Sequence, residues 1–157
     1  MNVRFATYRD LAKITELLAR AHHESEYRHI PVDPNRAMKS LSRMLNPSYK
    51  AACMVVIEHE EEILGALLGM VDWHWWSKYR FATDILTYCD KSARGHGYKM
   101  IKHFIRWVKK QPNISEIMLS ASTGMVDYQR LERLYARLGF QRTGMTWTKF
   151  LLEETQQ

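Results

Sequence analysis

The residues best suited to chemistry lie in one short stretch, Ser92-Ala93-Arg94-Gly95-His96-Gly97-Tyr98-Lys99-Met100-Ile101. Glycines and basic side chains crowd there, just ahead of an apolar run with helical spacing. A strand ending at Cys89 feeds this loop, and the loop feeds a helix from about Gly97 to Lys110. The N–H groups of about Gly95 to Lys99 then open a helix with no intrahelical acceptor. The helix dipole adds roughly half a positive charge at that end. Phosphate is the ligand such an end attracts. Gly95 and Gly97 let backbone approach an anion with no Cβ in the way, and Arg94 and Lys99 add charge. The plain alternative is an ordinary turn with a basic surface cluster.

Those residues need a scaffold, and the pattern supplies one. Asn2 to Ala6 reads as a strand, and Thr7-x-x-Asp10 as a capping box. Leu11, Ile14, Leu17, Leu18 and Ala21 recur at helical spacing, giving a helix to about His23. Two prolines break the next segment, and Arg36 to Leu45 forms a short second helix. Ala51 to His59, Ile63 to Trp75 and Phe81 to Cys89 read as three strands of an antiparallel meander, the first two joined by an acidic turn. After the basic helix come a strand at Glu116 to Ser120 and a glycine-containing loop, Ala121 to Asp127. A helix at Tyr128 to Leu138 and a last strand or strand pair at Phe140 to Leu152 complete the chain. Gly139 stands where a helix needs a left-handed residue to stop. The order is β-α-α-β-β-β-α-β-α-β, a mixed α/β sheet in a single domain over residues 1–157.

Composition limits the alternatives. A chain of 157 residues suits one domain with a real core. The longest uncharged apolar run, Ile63 to Val71, is too short to cross a bilayer, and the opening residues carry charges where a secretory signal needs an apolar centre. Cys53 and Cys89 form no C-x-x-C pair, so both read as free thiols in a reducing cytoplasm. The net charge of +6 favours an anionic ligand or partner without choosing between a phosphorylated cofactor and nucleic acid. His22, His23, Glu26 and His29 match no good zinc spacing, so no metal is expected. Trp73 and Trp75 alternate on a strand and so share a face, which reads as core or as the wall of an acceptor pocket. Base stacking is the lesser alternative.

Three stretches together resemble the GNAT superfamily, the Gcn5-related N-acetyltransferases. Arg94-Gly95-His96-Gly97-Tyr98-Lys99 is similar to the family's Q/R-x-x-G-x-G/A signature, with Lys99 replacing the small final residue. VRFATYRDLAKITELLARAH resembles its opening strand and first helix. LERLYARLGFQRTG resembles its late helix and turn, with Tyr135, Gly139 and Phe140 in the matching places. The closest likeness is to small acetyltransferases common in phages and their bacterial hosts.

The resemblance implies a sheet splayed between its fourth and fifth strands, with the glycine loop on the pyrophosphate of acetyl-CoA. An acetyl group would pass to a primary amine by direct attack in a ternary complex. A lysine-like amine has a pKa of about 10.4, so finding it neutral near pH 7 costs about 4 kcal/mol. A carboxylate can assist that proton loss, directly or through water. Asp84 on the strand before the loop and Glu24 at the end of the first helix are the candidate bases, alongside Asp72 and His74 on the neighbouring strand. The resemblance gives Tyr135 the role of acid toward the thiolate leaving group. It gives the backbone near Thr87, Tyr88 and Cys89 the polarising of the acetyl carbonyl. Glu24-Ser25…Pro31-Val32-Asp33 is similar to a family segment bordering the acceptor groove, where Glu26, Tyr27, Trp73 and Trp75 would meet the amine. The expected partners are acetyl-CoA and an amine acceptor, small molecule or protein, and pairing into a homodimer is compatible with the family. The expected place is the cytoplasm of a bacterium or a phage-infected host. The competing reading is a catalytically inactive GNAT-fold basic module that binds nucleic acid or a host protein.

Overall fold

A computed structural model of the chain describes residues 1–121 and 128–151. Its elements are β1 (Asn2–Phe5), α1 (Leu11–Glu24), α2 (Pro34–Leu45), β2 (Ala52–His59), β3 (Glu62–Trp73), β4 (Arg80–Cys89), α3 (Gly97–Val108), β5 (Ile114–Met118) and α4 (Tyr128–Arg137). The strands form one sheet in the order β1-β2-β3-β4-β5. All neighbours are antiparallel except β4 and β5, which run parallel and are joined through α3. As far as α4, the order and the mixed sheet agree with the expected fold.

The sheet is covered on both faces, which is why β2 and β3 read as nearly continuous apolar runs. On one face Ile14, Leu17, Leu41 and Leu45 of α1 and α2 pack on Met54, Val56, Ala66 and Leu68. On the other, Met100, Ile101, Phe104 and Val108 of α3 pack on Cys53, Val55, Leu67 and Ala82. The period of α3 is thus met by burial of its whole apolar stripe. Cys53 is buried, and burial pushes its thiol up to about 12.

At Gly69 the sheet and α3 pack closely together. A Cβ there would sit 2.3 Å from the Phe104 ring. Gly69→Ala is expected to lower stability by about 1 to 3 kcal/mol through overpacking, read as a lower urea midpoint at unchanged m-value.

Arg4 ties β1 to the entry of α1 and to β2. Its guanidinium donates to both Asp10 oxygens at 2.8 Å and to Glu58 at 2.9 and 3.0 Å. The Thr7 N–H also donates to Asp10, at 2.7 Å, as one half of the expected capping box. The Arg4 hydrogen bonds hold the buried Asp10 carboxyl at about 2, against an ordinary 3.8. A depressed carboxylate stabilises the fold above its unfolded pKa and loses that contribution as pH falls through its folded one. Asp10→Asn is expected to cost about 2 kcal/mol near neutral pH. The difference from wild type should close between about pH 4 and pH 2 in denaturant titrations.

The structure departs from the sequence expectation in two segments. Residues 141–151 form no strand, and 152 lies outside the described residues. Met145 and Trp147 are 65% and 86% exposed, so the apolar side chains of this segment are not laid on the sheet. Phe150 docks edge-on to Tyr27 and His29, at 5.5 and 4.5 Å between ring centroids. Second, β5 begins two residues before the expected Glu116, because Ile114 pairs with Arg80 at the start of β4. The loop expected at 121–127 lies, apart from Ala121, outside the described residues.

Candidate active site

β4 and β5 separate. β5 pairs only with Arg80 to Thr83, while β4 continues to Cys89. Where the pairing stops, β4 carries a bulge. Leu68 faces Leu86 and Gly69 faces Asp84, which leaves Ile85 as the extra residue. A bulge bends its strand and reverses the side-chain alternation beyond it. Ala82 therefore packs under α3, whereas Leu86 and Tyr88 pack under α1 and α2.

The backbone of β4 beyond the bulge is divided by strand alternation. The Asp90 N–H donates to Leu64 O at 2.8 Å across the β3 side. Every second residue points the same way, so Tyr88 and Leu86 also turn their N–H groups toward β3. The N–H groups of Thr87 and Cys89 point into the gap that β5 leaves unpaired. Of the three residues expected to offer backbone there, Thr87 and Cys89 do, and Tyr88 contributes a side chain on the opposite face. Its hydroxyl donates to Glu24 Oε2 at 3.2 Å, which draws the exposed Glu24 at the end of α1 alongside β4. Burial, and then Glu24, push the Tyr88 phenol up to about 12.

The glycine loop follows. A short turn at Lys91–Ala93, capped by the Asp90 carboxylate on the Ser92 N–H, leads to Arg94 and then Gly95 at φ +93°. That conformation favours glycine. The His96 N–H donates to Ala93 O, and the Met100 N–H to His96 O. Among the described residues no acceptor meets the N–H groups of Gly95, Gly97, Tyr98 or Lys99. Arg94 and Lys99 are exposed beside them. Tyr98 lies under two cations, Lys102 Nζ at 5.3 Å and the Arg137 guanidinium at 5.7 Å, so α4 adds positive charge to this end of α3. His96 has withdrawn its N–H from the cradle, and its Nδ1 is buried without a partner.

Asp84 and Tyr135 meet at the splay. The Asp84 carboxylate accepts from the Thr87 hydroxyl at 2.9 Å and from the Ser120 N–H at 3.0 Å, bridging β4 to the chain leaving β5. Burial raises its pKa, and these hydrogen bonds oppose the rise. The Tyr135 hydroxyl donates to Ser120 O at 3.2 Å. Burial foremost, and then the nearby Asp84 charge, raise the Tyr135 phenol well above its ordinary value, so it stays an O–H at neutral pH. Its helix ends as expected: Gly139 is left-handed at φ +85°, and the Phe140 N–H reaches back to Tyr135 O at 3.0 Å.

Glu24, Glu26 and Tyr27, expected to border the acceptor, gather at the end of α1, where the Phe150 ring packs on both Tyr27 and His29. Sequence reasoning missed Phe150 because its contact depends on a distant, irregular segment. Trp73 and Trp75 are not here. They are 56% and 90% exposed at the far end of β3, and neither packs in the core. β3 ends at Trp73, and a turn held by His74 N–H to Tyr79 O takes over, so strand alternation no longer applies to Trp75.

The acetyltransferase (GNAT) family matches residues 11–140. Solved structures share the fold at low identity. A glucosamine-6-phosphate N-acetyltransferase from Arabidopsis thaliana superposes with a TM-score of 0.71 and 15% identity, over 96% of this chain and 97% of that one. An aminoglycoside acetyltransferase from an uncultured soil metagenomic sample, in complex with sisomicin, gives a TM-score of 0.66 and 18% identity, over 96% and 95%. A ribosomal-protein-alanine N-acetyltransferase from Brucella melitensis gives 0.61 and 15%, over 98% and 99%. Among curated proteins none matches the sequence. With the family match running from the start of α1 through the turn after α4, this chain belongs to the acetyltransferase (GNAT) family.

Proposed function

We propose that the chain transfers an acetyl group from acetyl-CoA to a primary amine, by direct attack within a ternary complex. The observation that carries this reading is the row of unpartnered N–H groups at Gly95, Gly97, Tyr98 and Lys99, set at the mouth of the gap between β4 and β5. Such a row suits a diphosphate, and Arg94, Lys99 and Arg137 add charge around it. The gap would take the pantetheine arm, with the N–H groups of Thr87 and Cys89 available to it and to the acetyl carbonyl.

In this reading Tyr135 is the acid. Its protonated phenol would leave Ser120 O to hydrogen-bond the developing thiolate. Glu24, exposed beside β4, would receive the ammonium proton directly or through water. Asp84 is a positioning residue, because both its oxygens are engaged in holding the splay. The amine would enter between the end of α1 and β4, past Glu26 and Tyr27. Neither cysteine needs to carry the acetyl group: Cys53 is buried, and the Cys89 thiol donates to Ala93 O at 3.3 Å.

Acetyl-CoA at about a hundred times its Kd should stabilise the fold by about 2.7 kcal/mol. An amine screen read by thiol release should then find an acceptor. The absence of any thermal shift at millimolar acetyl-CoA would overturn the reading.

A further inference from the structure

The β3–β4 turn is not absorbed by that chemistry. It exposes Trp73, Trp75, Trp76 and Tyr79 by 56%, 90%, 66% and 49%. Aromatic surface of this size on one turn is unusual without a partner. The rings are held in place. Trp75 and Trp76 meet edge to face at 5.4 Å, His74 supports Trp76 at 4.7 Å, and the Arg80 guanidinium lies 5.5 Å from the Trp73 ring. His74 is fixed in turn by Ser115 at 3.1 Å and Glu116 at 3.2 Å on β5.

The charge around the turn has one predominant sign. Lys78 and Arg80 flank the indoles, and the chain leaving α3 through Lys109 and Lys110 reaches the same end, where Asn113 O accepts from the Arg80 N–H at 2.8 Å. Two carboxylates stand among these cations, Asp72, which accepts from the Trp73 N–H at 2.7 Å, and Glu116, 3.2 Å from His74, and the basic side chains outnumber them. A groove of about 320 Å³ opens between Val108 and Lys109 at the end of α3 and Asn113 to Glu116 of β5. Fixed π-faces beside a cationic track suit successive bases and their phosphates. A single strand offers such rings the open base faces that a duplex keeps covered.

We infer that the Trp73–Arg80 turn and the adjoining α3–β5 groove bind single-stranded nucleic acid, by base stacking on Trp75 and Trp76 with phosphates on Lys78, Lys109 and Lys110. This site lies at the opposite end of β4 from the glycine loop. The ten residues of that strand put the two about 30 Å apart, so both can be filled together.

The test is fluorescence anisotropy of a labelled single-stranded dT15 on the full chain, with saturating acetyl-CoA present and absent. Binding should quench tryptophan emission, weaken steeply with salt and be unaffected by acetyl-CoA. Trp75→Ala with Trp76→Ala should weaken it at least about tenfold, while the thermal shift with acetyl-CoA persists and shows that the variant folds. Lys109→Glu with Lys110→Glu should weaken it comparably. Four results would each overturn the inference: no binding at low salt, displacement by acetyl-CoA, unchanged affinity in the tryptophan variant, or preference for anionic vesicles over the oligonucleotide.

Discussion

Replacing Tyr135 with phenylalanine is expected to lower kcat at least about a hundredfold, with little change in the KM for acetyl-CoA. The ring would keep its place, because Tyr135 packs beside Leu134 and Leu138 and tilts against Phe140 at 5.7 Å. The lost group is one hydroxyl, whose partner in this structure is the Ser120 carbonyl. That carbonyl remains within reach of water or of cofactor, so the fold should lose about 1 kcal/mol or less. A thiolate leaving group with no donor nearby must instead depart as the bare anion. The rate should therefore fall in turnover and not in binding, which separates the acid role from simple packing. A stability readout checks that the right group has been removed. Burial raises the phenol's folded pKa, so wild type should lose stability as pH climbs past the ordinary phenol value of about 10. The phenylalanine variant should lose less. Turnover unchanged by the substitution would leave Tyr135 as a packing residue and return the acid role to water.

What could be read from the sequence depended on whether the cause was local. The apolar stripe of α3 was legible because Met100, Ile101, Phe104 and Val108 follow the helical period and all are buried. Gly139 was legible because a left-handed stop leaves a glycine behind. The glycine loop was legible because glycines ahead of an apolar helical run mark open backbone, although the left-handed turn at Gly95 was not part of that reading. The bulge at Ile85 was not, since it is a matter of backbone pairing and places no demand on side-chain type. Asp84 read as a free carboxylate on a strand. Its partner Ser120 lies 36 residues away, and only the fold reveals that the carboxylate is already engaged. The tryptophans misled because alternation is a rule of strands, and β3 stops at Trp73. Arg4 drew no notice, although it joins Asp10 to Glu58 across 54 residues of sequence from its second partner.

Gly97→Ala is expected to weaken acetyl-CoA binding at least about tenfold, cutting the stabilisation at a hundred times the wild-type Kd to about half or less, while leaving the unliganded fold as stable or slightly more so. The two halves of this prediction come from one observation. Among the described residues, a Cβ at Gly97 would meet nothing within 4 Å beyond its chain neighbours and its own helix backbone, and the residue does not adopt a positive φ. Nothing in the protein's own packing therefore calls for glycine there. Alanine should gain a few tenths of a kcal/mol to about 1 kcal/mol by narrowing the unfolded ensemble. Gly95 differs, because its φ of +93° would strain any side chain whatever the space around it. The remaining reason for glycine at position 97 is the approach of a ligand to the N–H groups of Gly97, Tyr98 and Lys99. A methyl group on that side would hold a phosphate away from hydrogen-bond distance, and the charge of Arg94 and Lys99 could not restore the lost geometry. Thermal melts of both proteins, with and without acetyl-CoA, separate the outcomes. An alanine variant that melts no lower than wild type alone, and shifts half as far or less with cofactor, assigns the glycine to binding. A variant that shifts like wild type would mean that Gly97 is dispensable and that the diphosphate rests elsewhere on the loop.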